Sequence, residues 1–160
     1  MSTDTSLVTR SHEENWQPVL DLAVEEVFEI MLGCRVKPVT QSEHKASRDF
    51  TAMVGLAGAL CGILTVCCSK ATAHQLAKAM LGAAAESEEQ VADALGEICN
   101  MVAGNFKNKL SGADDRCMLS VPTVVSGGEY NVHSMVDGST MTTMVLFENT
   151  PVSVTLQLNN

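Results

Sequence analysis

The segment 93–104 carries Asp93, Glu97, Asn100 and Gly104 at the spacing of one helical face. On a helix advancing about 100° per residue these four fall within a stripe about 60° wide. Val91, Leu95, Ile98, Val102 and Phe106 take the opposite side. The aliphatic side would pack on a sheet, while the stripe shows solvent a carboxylate at Glu97, a carboxamide at Asn100 and bare backbone at Gly104. Such a face suits contact with a partner. A glycine costs about 1 kcal/mol against alanine inside a helix, so Gly104 asks for a reason, and close approach of another backbone is a common one. A merely solvated helix face produces the same stripe, and pattern alone favours that plainer reading.

Other reactive side chains have no apparent helpers. Cys99 adjoins the stripe but points to the helix flank, with no histidine at a predictable distance to activate it, so it reads as a core or semi-buried thiol. His12, His44, His74 and His133 have no metal-ligand spacing among themselves or to the cysteines, which argues against structural zinc. Cys34, Cys61, Cys67, Cys68, Cys99 and Cys117 form no Cys-x-x-Cys pair, and residues 1–10 hold no apolar signal segment, so reduced thiols and a cytoplasmic location are expected. His133 reads as a structural histidine in a strand. Gly127 and Gly128 mark a turn and not a phosphate loop, because no helix start follows them.

The elements that must position the stripe follow from composition and period. At 160 residues the chain has the size of one domain, and 46% hydrophobic against 18% charged residues excludes a disordered protein. Only 4% of residues are aromatic, so the core is aliphatic, and the nine methionines read as core filler. A net charge of −9 disfavours nucleic acid and anionic membrane and points to a basic protein or cationic pocket as partner. The uncharged run 52–68 approaches the length of a membrane span, but Gly55, Gly58 and Gly62 interrupt it and Val54, Ile63, Thr65 and Val66 favour β structure, so two strands with a turn near Gly58 are predicted.

Residues 1–15 are polar and unpatterned, predicting a flexible terminus ahead of a single domain at 16–160. A helix is predicted over 18–32, with Leu20, Ala23, Val24, Val27, Ile30 and Met31 at helical spacing and Gly33 as its stop. A short helix follows at 72–81. Ser87 with Gln90 forms a capping box that starts a second long helix, expected to reach Leu110 and stop at Gly112. Strands are predicted at 34–39, 48–56, 60–69, 118–125, 130–136, 140–147 and 152–158, with turns at Gly127-Gly128, Asp137-Gly138 and Asn149-Thr150-Pro151.

The segment GEICNMVAGNFKNKL, preceded by Asp93 and followed by Pro122, resembles the signature of the CheC/CheX/FliY family of chemotaxis phosphatases: Asp or Ser, three residues, Glu, two residues, Asn, and a Pro about twenty residues on. Asp93, Glu97, Asn100 and Pro122 fill the four places. VFEIMLGCRV is similar to that family's first-helix exit, and GLAGALCGIL followed by SKATAHQLAKAMLG to its strand hairpin and short helix. CheC-type members carry Glu-x-x-Asn on both long helices. The first helix here has Glu25, Glu26 and Glu29 with no Asn three residues on, so the single site resembles the CheX branch.

The resemblance implies an α/β (α+β) fold in which two long helices pack on one face of a largely antiparallel sheet, and a homodimer. It implies a substrate, the aspartyl phosphate of a CheY-like response-regulator receiver domain, and a receiver that itself supplies Mg²⁺ and a cationic lysine, so that this chain binds no cofactor. Asn100 would orient the attacking water, accepting from it at the carboxamide oxygen while the NH₂ faces the phosphoryl oxygens. Glu97 would pair with the receiver lysine. Asp93 would support Glu97 or the contact rim, Gly104 would admit the partner, and Pro122 would shape the following strand. A non-catalytic docking or scaffold module of the same fold is the alternative.

Overall fold

The uncharged run at 52–68 folds as a hairpin: β1 (Phe50–Gly58) and β2 (Gly62–Cys68) pair antiparallel from Phe50↔Cys68 to Leu56↔Gly62. The computed structural model describes residues 16–82, 87–110, 117–127, 130, 131, 133 and 138–159. Alternate residues of each strand point to one buried face: Phe50, Ala52, Val54 and Leu56 from β1, Leu64, Val66 and Cys68 from β2. Gly62 is required by a close approach, because a Cβ there would lie 2.1 Å from the backbone oxygen of Gln157 on the neighbouring strand.

That neighbour is β6 (Thr150–Asn159), which contributes Val152, Val154, Leu156 and Leu158 to the same face and pairs on its far side with β5 (Gly138–Phe147). On the other flank of β1 lie β3 (Cys117–Leu119) and β4 (Thr123–Ser126). All pairings are antiparallel, in the order β3-β1-β2-β6-β5 with β4 beside β1. Three helices cover the buried face: α1 (Trp16–Leu32) over β5, α2 (Lys70–Leu81) over β6, and α3 (Glu88–Lys109) over β1, β2 and β4. The expected α/β arrangement of long helices on one side of an antiparallel sheet is therefore present, with the short helix joining the same layer.

Helix ends follow their local chemistry. Pro18 sits in the first turn of α1, where its missing N–H removes no intrahelical bond, so the helix starts two residues ahead of it. Gly33 ends α1 with φ 62°. Ser69 caps α2 by accepting from Thr72 N at 3.1 Å, and the helix begins at Lys70 instead of Thr72. Both capping-box bonds of α3 are made: Ser87 Oγ accepts from Gln90 N, and Gln90 Oε1 accepts from Ser87 N, each at 3.1 Å. The helix ends at Lys109, and the expected stop at Gly112 lies outside the described residues, as do 1–15.

Four expectations are corrected. Residues 34–39 form no strand, since Pro38 has no N–H to give a ladder; only the Val39 N–H reaches the β5 edge, donating to Met144 O at 2.8 Å. The predicted strand 118–125 is broken into β3 and β4. Tyr130, Asn131 and His133 carry no strand, and the rest of 130–136 lies outside the described residues, as do Gly128 and Asp137. The last turn is not Asn149-Thr150-Pro151 but Glu148-Asn149, with φ 48° and 66°, which lets Phe147 pair with Thr150 and leaves Pro151 inside β6, beyond the end of β2 where no N–H is needed.

Candidate functional site

The capping box and the packed side of α3 fix how the helix is turned. Val91, Leu95, Ile98, Val102 and Phe106 are buried, Asp93 and Glu97 are exposed, and Asn100 and Gly104 are half-buried on the outward side. The four residues singled out by spacing thus share one accessible face. Among the described residues Asp93, Glu97 and Asn100 make no side-chain hydrogen bond or ion pair, so two carboxylates one turn apart add their negative charge and the Asn100 carboxamide keeps its donors and acceptor for another molecule.

The face is clamped from both flanks. On one side β3 and β4 are joined by a β-bulge: Leu56 pairs with Leu119 and Met53 with Thr123, so Val54 and Gly55 oppose Ser120, Val121 and Pro122. Ser120 holds the bulge, its N–H donating to Gly55 O at 2.9 Å and its Oγ accepting from Gly55 N at 2.8 Å. Pro122 packs on Gly96, where a Cβ would stand 3.3 Å from the proline Cβ and from Val124 Cγ2. The bulge leaves Val121 85% exposed, beside the stretch of α3 between Gly96 and Gly104.

On the other side α1 is tied to α3 through Glu26. Its Oε2 accepts from Lys109 Nζ at 2.7 Å and from Asn105 Nδ2 at 3.1 Å. These two contacts, the lysine first, hold the Glu26 carboxyl below the usual carboxylate range. A groove of about 380 Å³ lies between the clamps, lined by Val27 and Ile30 of α1, Asn100, Met101, Gly104, Asn105 and Asn108 of α3, and Leu119 of β3. Ile30, which the helical period grouped with the packed positions, is 74% exposed at its rim.

The remaining candidates sit elsewhere. Cys99 is buried, its thiol donates to Leu64 O at 3.6 Å, and burial pushes its pKa up to about 12, as it does for Cys68. All six cysteines are free. Among the described residues no three His, Cys, Asp or Glu side chains converge to hold a metal ion, and no helix is long and apolar enough to cross a membrane. Sequence spacing located the face but not the groove, Ile30 or the bulge; Pro122 inside a β-patterned run was the one available signal for the last.

Comparison with known proteins gives this geometry its relatives. The family model described as chemotaxis phosphatase CheX matches residues 50–145, which hold all of α3 and the bulge. The chain is 31% identical over 117 residues to the CheY-P phosphatase CheX of Thermotoga maritima, an alignment spanning 70% of this chain and 76% of that one. Its fold matches that of the chemotaxis protein CheX from Desulfovibrio desulfuricans with a TM-score of 0.77 at 23% identity, covering 90% of this chain and 99% of the other. It also matches CheX in the CheX-CheY-BeF3-Mg²⁺ complex from Borrelia burgdorferi, with a TM-score of 0.73 at 22% identity over 91% and 99% of the two chains. With the family model matching more than half of the chain and the outward Glu97-x-x-Asn100 face inside the matched region, this chain belongs to the CheX family of chemotaxis phosphatases.

Proposed function

We propose that this chain hydrolyses the aspartyl phosphate of a CheY-like receiver domain. The observation that carries the reading is the unpartnered, half-buried Asn100 carboxamide one turn from an exposed, unpartnered Glu97, on a helix held on both flanks. A water accepted at the Asn100 carboxamide oxygen attacks phosphorus in line with the bond to the receiver's aspartate. That bond breaks, leaving inorganic phosphate and a free carboxylate. The carboxamide NH₂ donates to the phosphoryl oxygens, whereas a carboxylate at the same position would repel them. Glu97 pairs with a receiver lysine and so sets the register in which Asn100 enters; Asp93 lies on the rim of the contact, and Gly104 admits the partner. Mg²⁺ comes with the receiver and this chain contributes no ligand to it, a reading in keeping with a Borrelia complex made of CheX, CheY, BeF3 and Mg²⁺. A homodimer and a cytoplasmic location belong to the same reading.

The test is the decay of phosphorylated CheY with and without the protein. Asn100→Ala is expected to leave receiver binding nearly intact and to cut catalysed decay by ~100-fold or more. Glu97→Ala should lose roughly 2 kcal/mol of binding and raise the half-saturation concentration. If wild type binds the phosphorylated receiver without accelerating its decay, the protein is a docking module and the catalytic role of Asn100 is withdrawn.

A further inference from the structure

We propose that the groove over Gly104 seats an apolar side chain of the receiver domain, forming the second half of the docking surface. This inference rests on the phosphatase reading above and extends it from the reacting atoms to the choice of partner. Among the described residues nothing requires Gly104 to be glycine. Its φ is not in the left-handed region, and a Cβ there would meet only Leu119 Cδ1, at 3.9 Å, which is ordinary contact. Gly62 and Gly96 differ, for each is crowded by a neighbour at 2.1 and 3.3 Å respectively. The helix therefore carries the conformational penalty of glycine with no return from the described residues. A partner laid over this face is what would use the space.

The position of the space says what that is. Asn100 itself lines the groove, and Gly104 follows it by one turn, about 6 Å along the helix axis. A protein that brings a phosphoryl group to the Asn100 carboxamide therefore lays its adjoining surface over Gly104. The lining is mixed but uncharged: Val27, Met101, Leu119 and the 74% exposed Ile30 are apolar, and Asn100, Asn105 and Asn108 are carboxamides. The nearby Glu26 carboxylate is already matched by Lys109 and Asn105, so the groove offers an apolar side chain more than it offers a cation. A small anchor buried next to a charged contact is how few residues come to dominate an interface.

The full-length chain is tested as wild type, Ile30→Asp, Ile30→Leu and Gly104→Leu. Binding is measured to CheY charged with beryllofluoride and Mg²⁺, and turnover with phosphorylated CheY. Ile30→Asp is expected to weaken binding and raise the half-saturation concentration about tenfold or more while the rate at saturation stays within about twofold of wild type. Ile30→Leu should restore both values, and Gly104→Leu, which fills the groove, should weaken binding by a similar factor. Because Ile30 is exposed, its variants read docking even if Gly104→Leu fails to fold. Wild-type half-saturation in Ile30→Asp, with wild type itself active, overturns this proposal and leaves the phosphatase reading standing. A defect that tracks a change in sedimentation assigns the groove to a second copy of the chain and also overturns it. If wild type neither binds nor accelerates decay, the phosphatase reading fails and takes this proposal with it.

Discussion

Replacing each of three glycines by alanine should give three different stabilities, ordered by what a Cβ would meet. At Gly104 the nearest atom among the described residues is a leucine methyl at 3.9 Å, an ordinary contact that leaves the helix-propensity gain unopposed, and Gly104→Ala should stabilise the fold by ~0.5–1 kcal/mol. For a chain of this size that corresponds to a Tm rise of about 1–4 °C. At Gly96 the same gain is opposed by Pro122 and Val124 at 3.3 Å, both on the bulged strip at the sheet's flank, and the two effects should cancel to within ~1 kcal/mol. At Gly62 the new atom would lie 2.1 Å from a backbone oxygen that cannot rotate away, between β strands paired on both sides. Gly62→Ala should cost ~3 kcal/mol or more, because the β2–β6 ladder must open to admit it. Urea unfolding with an unchanged m-value measures all three. A destabilised Gly104→Ala would refute the open groove at Gly104, and a Gly62→Ala within 1 °C of wild type would refute the close approach of β2 and β6.

Three further outcomes follow from the site and its surroundings. The carboxyl of Glu26 has its pKa lowered by Lys109 and Asn105, so its contribution to stability is full above the ordinary carboxylate pKa and is lost as pH falls through the depressed one; unfolding followed from pH 6 to pH 2 should show an acid-labile component that Glu26→Gln removes. Exposed Cys61 should react with a thiol reagent in the native protein, whereas Cys68 and Cys99, raised to about 12 by burial, should react only on unfolding, with six thiols counted in denaturant without reductant. Sedimentation at micromolar concentration should give twice the 17.0 kDa chain mass, and a single 17.0 kDa species would remove the homodimer while leaving the catalytic reading intact.

The parts of this architecture that sequence revealed are those written by local chemistry. Ser87 and Gln90 announce the start of α3, and the aliphatic side of that helix fixes by elimination where Asp93, Glu97, Asn100 and Gly104 must face. Period-two burial likewise made β1, β2, β5 and β6 readable, and glycines separated the hairpin from a membrane span. What was not readable arises where distant segments meet. Ile30 has the period of a packed residue but is 74% exposed, while Met31 and Leu32 beside it pack against the core. The groove needs α1, α3 and β3 together, and the bulge needs a strand partner whose register shifts by one residue. At 34–39, β-branched residues suggested a strand that Pro38 prevents.

The pairing of β3 and β4 with β1 bears on how the molecule reaches its native state. β1–β2 and β5–β6 are hairpins closed by short turns, and α3 begins at its own capping box, so each can form from residues close in sequence. The Leu56↔Leu119 pair, by contrast, closes a loop of roughly sixty residues that contains β2, α2 and α3, and its entropic cost falls on a strip of only three plus four strand residues. This strip holds one flank of the Asn100 face. The Asn100 face is therefore completed by a non-local pairing and rests on the two shortest strands of the sheet, so local opening there would erase the proposed docking surface while the hairpins and the helical core remain folded.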